Sequence, residues 1–327
     1  MISGTNVAQV APDVYRCALP TGFSVGDVHV YLVPDQNGVM VIDTGLGTEE
    51  SMSALEQGLA DIGSALGQVH TIVLTHGHAD HAGGAALLQE RTNARLIGHP
   101  LLPGWLQPTP ESLQAEAEFF EQLYTECGLA KSLRESAHAE RNLHRQMVRP
   151  VRLDATVAEH DAVAGWRVVY TPGHSESHIS LWREHDRMLI GGDVCIQHVS
   201  VNALVEPNAE YDGRVQSVAH FRATFLKLLA LRISEILPGH GQSVTDPHAL
   251  LARRLEEQET RIAQLMTAID TGERTVWELA AALFPRHLKE LTLIVSEVLG
   301  HLDYALVAGQ VSGSRDADGA VRYRLAP

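Results

Sequence analysis

The segment HGHADH places three histidines and an aspartate within six residues, after a short apolar run and shortly before two glycines. Its candidate metal ligands are His76, His78, Asp80 and His81. Imidazole and carboxylate groups bind zinc, iron and manganese, and the segment holds no thiolate that would select zinc alone. Because the chain has 18 histidines, the segment predicts a metal site only if partners for it exist elsewhere.

Four other polar residues follow apolar runs in the same way, each at a turn that contains Gly or Pro. They are Asp43 in VIDTG, His174 in TPGH, Asp193 in GGD and His240 in LPGH. Rigid strands position the side chains at their ends, while the loops that follow stay accessible. We therefore expect these residues to converge with HGHADH.

The candidate ligands are numerous enough to hold two cations. Two divalent cations about 3.5–4 Å apart lower the pKa of a shared water, which supplies a hydroxide nucleophile near neutral pH, and they stabilise the developing oxyanion. Asp43 would serve indirectly, as an acceptor that orients a ligand imidazole. The expected chemistry is metal-assisted hydrolysis.

The hydrophobic pattern predicts the elements that position these residues. β-rich runs on either side of Gln36-Asn37-Gly38 predict a hairpin, because Asn-Gly favours a tight turn. A helix is expected over about 49–66, followed by a strand in HTIVLT, a loop in HGHADH, a helix in AGGAALLQERT and a strand in ARLIGHP. After Pro150 strands return, interrupted by a helix over about 214–231.

Residues 103–150 show helical spacing of their apolar residues instead of strand patterns, and they predict a helical insertion. Thr109-Pro110-Glu111 is a helix start, and apolar residues then recur at helical spacing as far as Gly128. A second, more polar helix is expected over about 131–147. We expect this insertion to pack on the body of the protein rather than to form a lid, with Phe119, Phe120 and Tyr124 as core residues rather than substrate contacts.

The end of the chain predicts a small separate unit. Asp246-Pro247 opens a long helix that stops near Gly272. A capping box from Thr275 to Glu278 begins a short helix, a longer helix spans about 288–307, and QVSGSRDADGAVRYRL predicts a hairpin. Two helices followed by a hairpin outline a winged-helix-like module.

Composition narrows the class of protein. The 327 residues are 45% hydrophobic, and 25 basic against 40 acidic residues give a formal charge of −15. Such a surface repels nucleic-acid phosphates.

Three isolated cysteines, Cys17, Cys127 and Cys195, indicate reduced thiols and a cytoplasmic protein. The sequence predicts neither a signal peptide nor a membrane span.

The motifs THGHADH, TPGH, GGD and LPGHG, in this order after VIDTG, resemble the metallo-β-lactamase superfamily over roughly residues 7–245. The resemblance implies an α+β fold, a four-layer αββα sandwich with the site at one edge, here with a helical insertion at about 103–150 and a small C-terminal winged-helix-like domain. We expect a catalytic domain over 1–250 and a connecting helix plus winged-helix-like domain over 251–327.

The resemblance also implies how two divalent metal ions would be held, with zinc favoured over iron or manganese. His76, His78 and His174 would bind one ion. Asp80, His81 and His240 would bind the other, and Asp193 would bridge the two. Asp80 would also be catalytic, because it would handle a proton of the nucleophilic water.

Several other polar side chains are weaker candidates. His178 and Cys195 could line a substrate pocket, although a structural role is favoured for each. His99 is expected to end a strand.

The fold does not name the substrate. The favoured function is hydrolysis of a small ester, thioester or lactone by a bridging hydroxide. The C-terminal tail also resembles that of an endoribonuclease that cuts single-stranded RNA, so a metal-dependent endoribonuclease or phosphodiesterase is the alternative, followed by a non-catalytic regulator.

The charge of the C-terminal unit favours the small-molecule substrate. Residues 271–327 contain six basic and seven acidic residues, and no basic recognition helix is evident. We therefore expect no nucleic-acid or membrane partner. The unit is expected to pack on the catalytic domain, wall the pocket or mediate formation of a homodimer.

Overall fold

The computed structural model describes residues 6–327. Seven strands form the first sheet, in chain order: β1 Val7–Ala11, β2 Val14–Leu19, β3 Val28–Asp35, β4 Gly38–Ile42, β5 Val69–Val73, β6 Arg95–Gly98 and β7 Ala155–Thr156. A second sheet has the order β12-β11-β10-β9-β8, from β8 Ala162–Val163, β9 Trp166–Tyr170, β10 Ile179–Arg183, β11 Met188–Gly192 and β12 Glu235–Pro238. A terminal hairpin joins β13 Val311–Arg315 to β14 Val321–Leu325.

Five helices outside the insertion and the C-terminal unit flank these sheets. They are α1 Glu49–Asp61, α2 Ala79–Ala82, α3 Ala85–Thr92, α4 Leu102–Leu106 and α7 Ser217–Ala230. The insertion supplies α5 Pro110–Glu126 and α6 Lys131–Gln146, and the end of the chain supplies α8 Pro247–Asp270, α9 Val276–Leu283 and α10 Leu291–Val307. The predicted helix over 49–66 is wrong at its end, because α1 stops at Asp61 and a short 3-10 turn, Leu66–Gln68, precedes β5.

The two sheets pack face to face between layers of helices. In β3, Val30 and Leu32 pack on the outer side with Leu55 of α1, while Tyr31 packs between the sheets with Ile190 of β11. A strand that is buried on both faces has a nearly continuous apolar sequence, which explains why apolar residues do not alternate with polar ones in β3 and β4. On the far side of the second sheet, a third cluster packs against α7 and α8. The order of layers is therefore helix, sheet, sheet, helix, as the resemblance implied.

The predicted hairpin at Gln36-Asn37-Gly38 is confirmed, with Asp35 opposite Gly38 in the pairing of β3 with β4. Strands β4 to β7 then pair in parallel, as do β11 and β12. Parallel pairing brings the carboxyl ends of neighbouring strands to the same edge of a sheet.

The helical insertion packs on the C-terminal unit, which corrects the expectation that it packs on the body of the sandwich. Phe120, Leu123 and Tyr124 of α5 belong to one buried cluster with residues of α8, α9 and α10, including Leu265 and Val298. The amphipathic stripe of α5 was identified correctly, but its partner lies more than 130 residues away in the chain.

Polar contacts also hold the C-terminal unit, one to the segment that follows α5 and one to the loop before α7. The backbone N–H of Trp277 donates to the carbonyl of Cys127 at 2.9 Å, and the guanidinium of Arg214 donates twice to the buried Asp303 carboxylate, at 2.6 and 2.5 Å. All three cysteines are free, as predicted, and all three are buried. Among residues 6–327 there is no helix with the length and apolar character needed to span a membrane.

Candidate metal centre

The candidate ligands lie just beyond strand ends of both sheets. β4 ends directly before Asp43, β11 ends directly before Asp193, and β12 ends two residues before His240. β5 ends at Val73, three residues before His76. Because β4 and β5 are parallel neighbours, as are β11 and β12, the four ends converge at one edge of the sandwich.

The second half of HGHADH is helical, which corrects its prediction as a loop. The N–H groups of His81 and Ala82 both donate to the carbonyl of His78, at 3.0 and 2.8 Å, and α2 begins at Ala79. The turn of helix directs Asp80 toward His240 and His81 toward Asp193, both of which follow strands of the second sheet. Gly83 and Gly84 follow where a side chain would meet the backbone of neighbouring loops.

Three histidines form one side of the cluster. The Nδ1 atom of His78 lies 2.9 Å from Nε2 of His76 and 2.9 Å from Nε2 of His174. A ring nitrogen of each lies within 4.8 Å of the others, close enough to hold one metal ion. The ring of His174 is anchored from behind, because its Nδ1 lies 3.0 Å from the carbonyl oxygen of Asn202.

Carboxylates and two further histidines form the other side. The Nε2 atom of His240 lies 3.2 Å from Oδ2 of Asp80 and 3.7 Å from Oδ2 of Asp193. Oδ1 of Asp193 lies 3.4 Å from Nε2 of His81, while its Oδ2 lies 3.7 Å from Nε2 of His174. Among the candidate ligands, Asp193 therefore faces histidines from both sides.

Asp43 holds His81 in place from behind. Its Oδ2 accepts from Nδ1 of His81 at 2.7 Å, and its two oxygens accept from the N–H and hydroxyl of Thr75, each at 2.8 Å. Asp43 has a φ of 63°, in the left-handed region that a non-glycine residue rarely adopts. The bonds to Thr75 and His81 hold this strained conformation, and such strain concentrates at functional sites.

Two buried polar atoms of the site have no hydrogen-bond partner within the protein, and their arrangement tests whether a metal ion fits between them. Nε2 of His81 and Oδ1 of Asp193 are buried without a hydrogen-bond partner. A buried polar atom without a partner costs about 1–3 kcal/mol. A cation bound by both atoms would remove that cost, so the arrangement fits a metal.

Burial sets the protonation of the histidines. It lowers the pKa of His76 well below its usual value, and it lowers that of His78 to about 3, with the neighbouring His174 adding to the effect. These two rings are neutral at pH 7 and available as ligands. For His81, burial acts in the same direction, but the carboxylates of Asp193, Asp43 and Asp80 outweigh it and raise the pKa.

A cavity of about 290 Å³ opens onto the cluster. The lining includes five of the candidate ligands: His78, Asp80, His174, Asp193 and His240. Phe120 and Tyr124 also line it, so these residues are both core and cavity wall. Helix α10 contributes Leu293 and Val295, so the C-terminal unit walls the pocket, which is one of the three roles expected for it.

The structure places neither His178 nor Cys195 at this cavity. Both ring nitrogens of His178 are engaged, because Nε2 accepts from the N–H of Asp193 at 3.1 Å and Nδ1 lies 2.7 Å from the hydroxyl of Thr171. The His178 side chain therefore supports the loop that carries Asp193. Cys195 is buried, and burial raises the pKa of its thiol to about 12, so it is an inert packing group.

Two residues near the site were missed from the sequence. His29 is buried beside the loop that carries His240, and its Nδ1 lies 3.2 Å from the carbonyl oxygen of Pro238. Trp105, in the short helix α4, stands against Gly77, where an added Cβ would lie 2.5 Å from the indole ring. The strand pattern around His29 gives no signal of a site. The tryptophan in LPGWL does give one, because it follows a strand end and the pair His99-Pro100 within a few residues.

Comparison with known proteins identifies the family of the chain. Residues 24–240 match the Metallo-beta-lactamase superfamily, and residues 262–326 match a family described as Metallo-beta-lactamase-like, C-terminal domain. The probable metallo-hydrolase YqjP of Bacillus subtilis is 32% identical over 298 residues, which cover 89% of this chain and 91% of that protein.

Two further matches extend the comparison. The atrochrysone carboxyl ACP thioesterase dmxR1 of Cryptosporiopsis sp. is 22% identical over 267 residues, covering 81% of this chain and 65% of that protein. The crystal structure of a beta-lactamase domain protein from Burkholderia ambifaria superposes with a TM-score of 0.84 at 25% identity, covering 100% of this chain and 96% of that one. The chain belongs to the metallo-beta-lactamase superfamily and is a metal-dependent hydrolase of that group, with an additional C-terminal domain.

Proposed function

We propose that this protein is a dinuclear metal-dependent hydrolase of small esters, thioesters or lactones. The observation that carries the proposal is the pair of buried, unpaired atoms, Nε2 of His81 and Oδ1 of Asp193, inside a cluster of seven ligand residues. His76, His78 and His174 would hold one ion, Asp80, His81 and His240 the other, and Asp193 both. When bound, two such cations, with zinc favoured over iron or manganese, lower the pKa of a shared water and stabilise the developing oxyanion.

The protein's own side chains supply orientation and proton transfer. Backbone carbonyls fix two of the rings, because Nδ1 of His174 faces Asn202 and Nδ1 of His240 lies 2.8 Å from the carbonyl of Asp27. This leaves Nε2 of each ring toward the cluster. Asp80 lines the cavity, and its nearest histidines keep the pKa of its carboxyl below the usual value against the effect of burial, so it is ionised and able to accept a proton.

An acyl substrate suits the cavity better than RNA. Apart from the ligand cluster, most of the residues that line it are apolar, whereas a path for phosphates requires cationic side chains. The name of the Cryptosporiopsis relative, a thioesterase, supports the same class of substrate.

A substrate panel tests the proposal. Protein loaded separately with zinc, iron and manganese would be assayed on S-hexanoyl-N-acetylcysteamine, p-nitrophenyl hexanoate, δ-hexalactone and a labelled single-stranded RNA. We expect metal-dependent hydrolysis of at least one acyl substrate and no cleavage of RNA. Metal-dependent cleavage of RNA without acyl hydrolysis would replace the proposal with an endoribonuclease.

A further inference from the structure

The lining of the cavity has two chemically different parts. One part is the ligand cluster. The other is largely apolar, with the side chains Phe23, Val25, Trp105, Leu123, Val201 and Leu293 among its residues. We propose, as an extension of the proposed function, that this apolar part binds the acyl group of the substrate, an uncharged aliphatic chain of medium length, because the cavity of about 290 Å³ is small for a ligand site.

The apolar wall is assembled from separate parts of the chain. Helix α4 contributes Trp105 and the insertion contributes Leu123. The loop after Asp193 contributes Ile196 and several residues of 199–205, and α10 contributes Leu293 and Val295. The insertion and α10 are joined through their shared buried cluster, and the hydroxyl of Thr292 donates to Oε1 of Glu140 at 2.7 Å. The C-terminal unit is thus a structural part of the acyl site.

A buried arginine fixes the loop that forms the second wall. The guanidinium of Arg254 donates to the carbonyls of Ile196 at 2.6 Å and Val199 at 2.7 Å, and both of these residues line the cavity. Arg254 is itself buried and paired with Glu257. A wall held in this way is formed before the ligand arrives, which reduces the ordering cost of binding.

The polar side chains Arg141, His144 and Glu140 along the wall already have partners. Arg141 lies over the ring of Phe120 and pairs with Glu116 at 2.6 Å. The ring of His144 stacks on that of Phe23, with 5.9 Å between the ring centroids. Glu140 accepts a hydrogen bond from the hydroxyl of Thr292 in α10. These groups are committed to contacts within the protein, so the wall favours an acyl chain without a charge of its own.

Binding and turnover test the proposal separately. Acetate, butanoate, hexanoate and octanoate would be titrated into zinc-loaded full-length protein by calorimetry, and the matching p-nitrophenyl esters would be assayed for kcat/KM. The test variants are Leu293→Glu and Val199→Glu, at cavity positions that are each 37% exposed and therefore tolerate a polar residue. The control is Leu306→Glu, on the same helix as Leu293 and 42% exposed but away from the cavity.

We expect affinity and kcat/KM of the wild type to rise about threefold to fourfold with each added methylene as far as the hexanoyl or octanoyl group. In both cavity variants the affinity for octanoate should fall at least tenfold, while the affinity for acetate changes less than twofold. Leu306→Glu should match the wild type. A flat dependence on chain length, or a gradient retained in both cavity variants, would overturn the acyl site. If octanoate binds with the expected gradient but no ester is hydrolysed, the acyl site stands and the proposed function fails.

Discussion

His81 is held between two carboxylates: its Nδ1 lies 2.7 Å from Oδ2 of Asp43, and its Nε2 lies 3.4 Å from Oδ1 of Asp193. The first contact is a hydrogen bond, whereas the second leaves both buried atoms without a hydrogen-bond partner. One carboxylate therefore orients the ring, and the other shares with it the place where a cation fits.

Asp43→Asn should weaken metal binding without removing a ligand. The amide cannot accept from Thr75 and His81 with the strength of the carboxylate, and loss of such an outer partner costs about 10–100-fold in metal affinity. Competition with a chromogenic zinc chelator measures the effect. Asp61→Asn, at an exposed aspartate in α1, is the control, and equal zinc affinity in both variants would remove Asp43 from the site.

Gly77→Ala should destabilise the protein and disturb the cavity wall. The new methyl group would meet the Trp105 ring at 2.5 Å, and overpacking of this kind costs about 1–3 kcal/mol. Gly104→Ala is the matched control, because a Cβ there meets nothing within 4 Å. Urea unfolding of metal-free protein should show a lower midpoint for Gly77→Ala alone, whereas identical midpoints would contradict the close packing of Trp105.

Glu206 should make stability fall as the pH rises. Burial raises the pKa of its carboxyl to about 7, above the unfolded value of 4.5, so the folded state binds more protons than the unfolded state between these values. The contribution of Glu206 to the free energy of unfolding therefore decreases from pH 5 to pH 8. Glu206→Gln should be more stable than the wild type by about 1–3 kcal/mol at pH 8 and by much less at pH 5.

The measurement is urea unfolding of metal-free protein at unit pH intervals, with Glu210→Gln as an exposed control. An advantage for Glu206→Gln that does not change between pH 5 and pH 8 would show that Glu206 does not titrate in this way.

Asp303→Ala should loosen the C-terminal unit. Asp303 is only 4% exposed, and the substitution leaves the guanidinium of Arg214 without its bidentate partner. Breaking such a buried pair costs about 3–5 kcal/mol. Glu259→Ala breaks the more exposed pair with Arg222 and should cost less than about 1 kcal/mol. Thermal melts of the two variants that coincide would contradict a buried interface at Asp303.

Local signals in the sequence predicted the strand ends and the polar residues that follow them. Asp43, His174, Asp193 and His240 lie at turns that Gly or Pro makes visible, and they converge because parallel strands share an edge. The partner of α5 could not be predicted, because its apolar stripe specifies burial but not the surface that covers it. The turn of helix at Ala79 was missed because its four residues are too short to show helical periodicity. His29 was missed because alternation within a strand does not distinguish a polar residue at a site from one in the core.

The most direct test of the two-metal hydrolase is the metal content and turnover of wild type and His81→Ala. Metal bound per chain would be measured by inductively coupled plasma mass spectrometry after dialysis, and hydrolysis of S-hexanoyl-N-acetylcysteamine would be assayed on the same samples. His185→Ala, at an exposed histidine outside the cluster, is the control. We predict two metals per chain in the wild type and the control, one in His81→Ala, and a loss of nearly all turnover in that variant. Full turnover by His81→Ala with a single bound metal would contradict the two-metal mechanism.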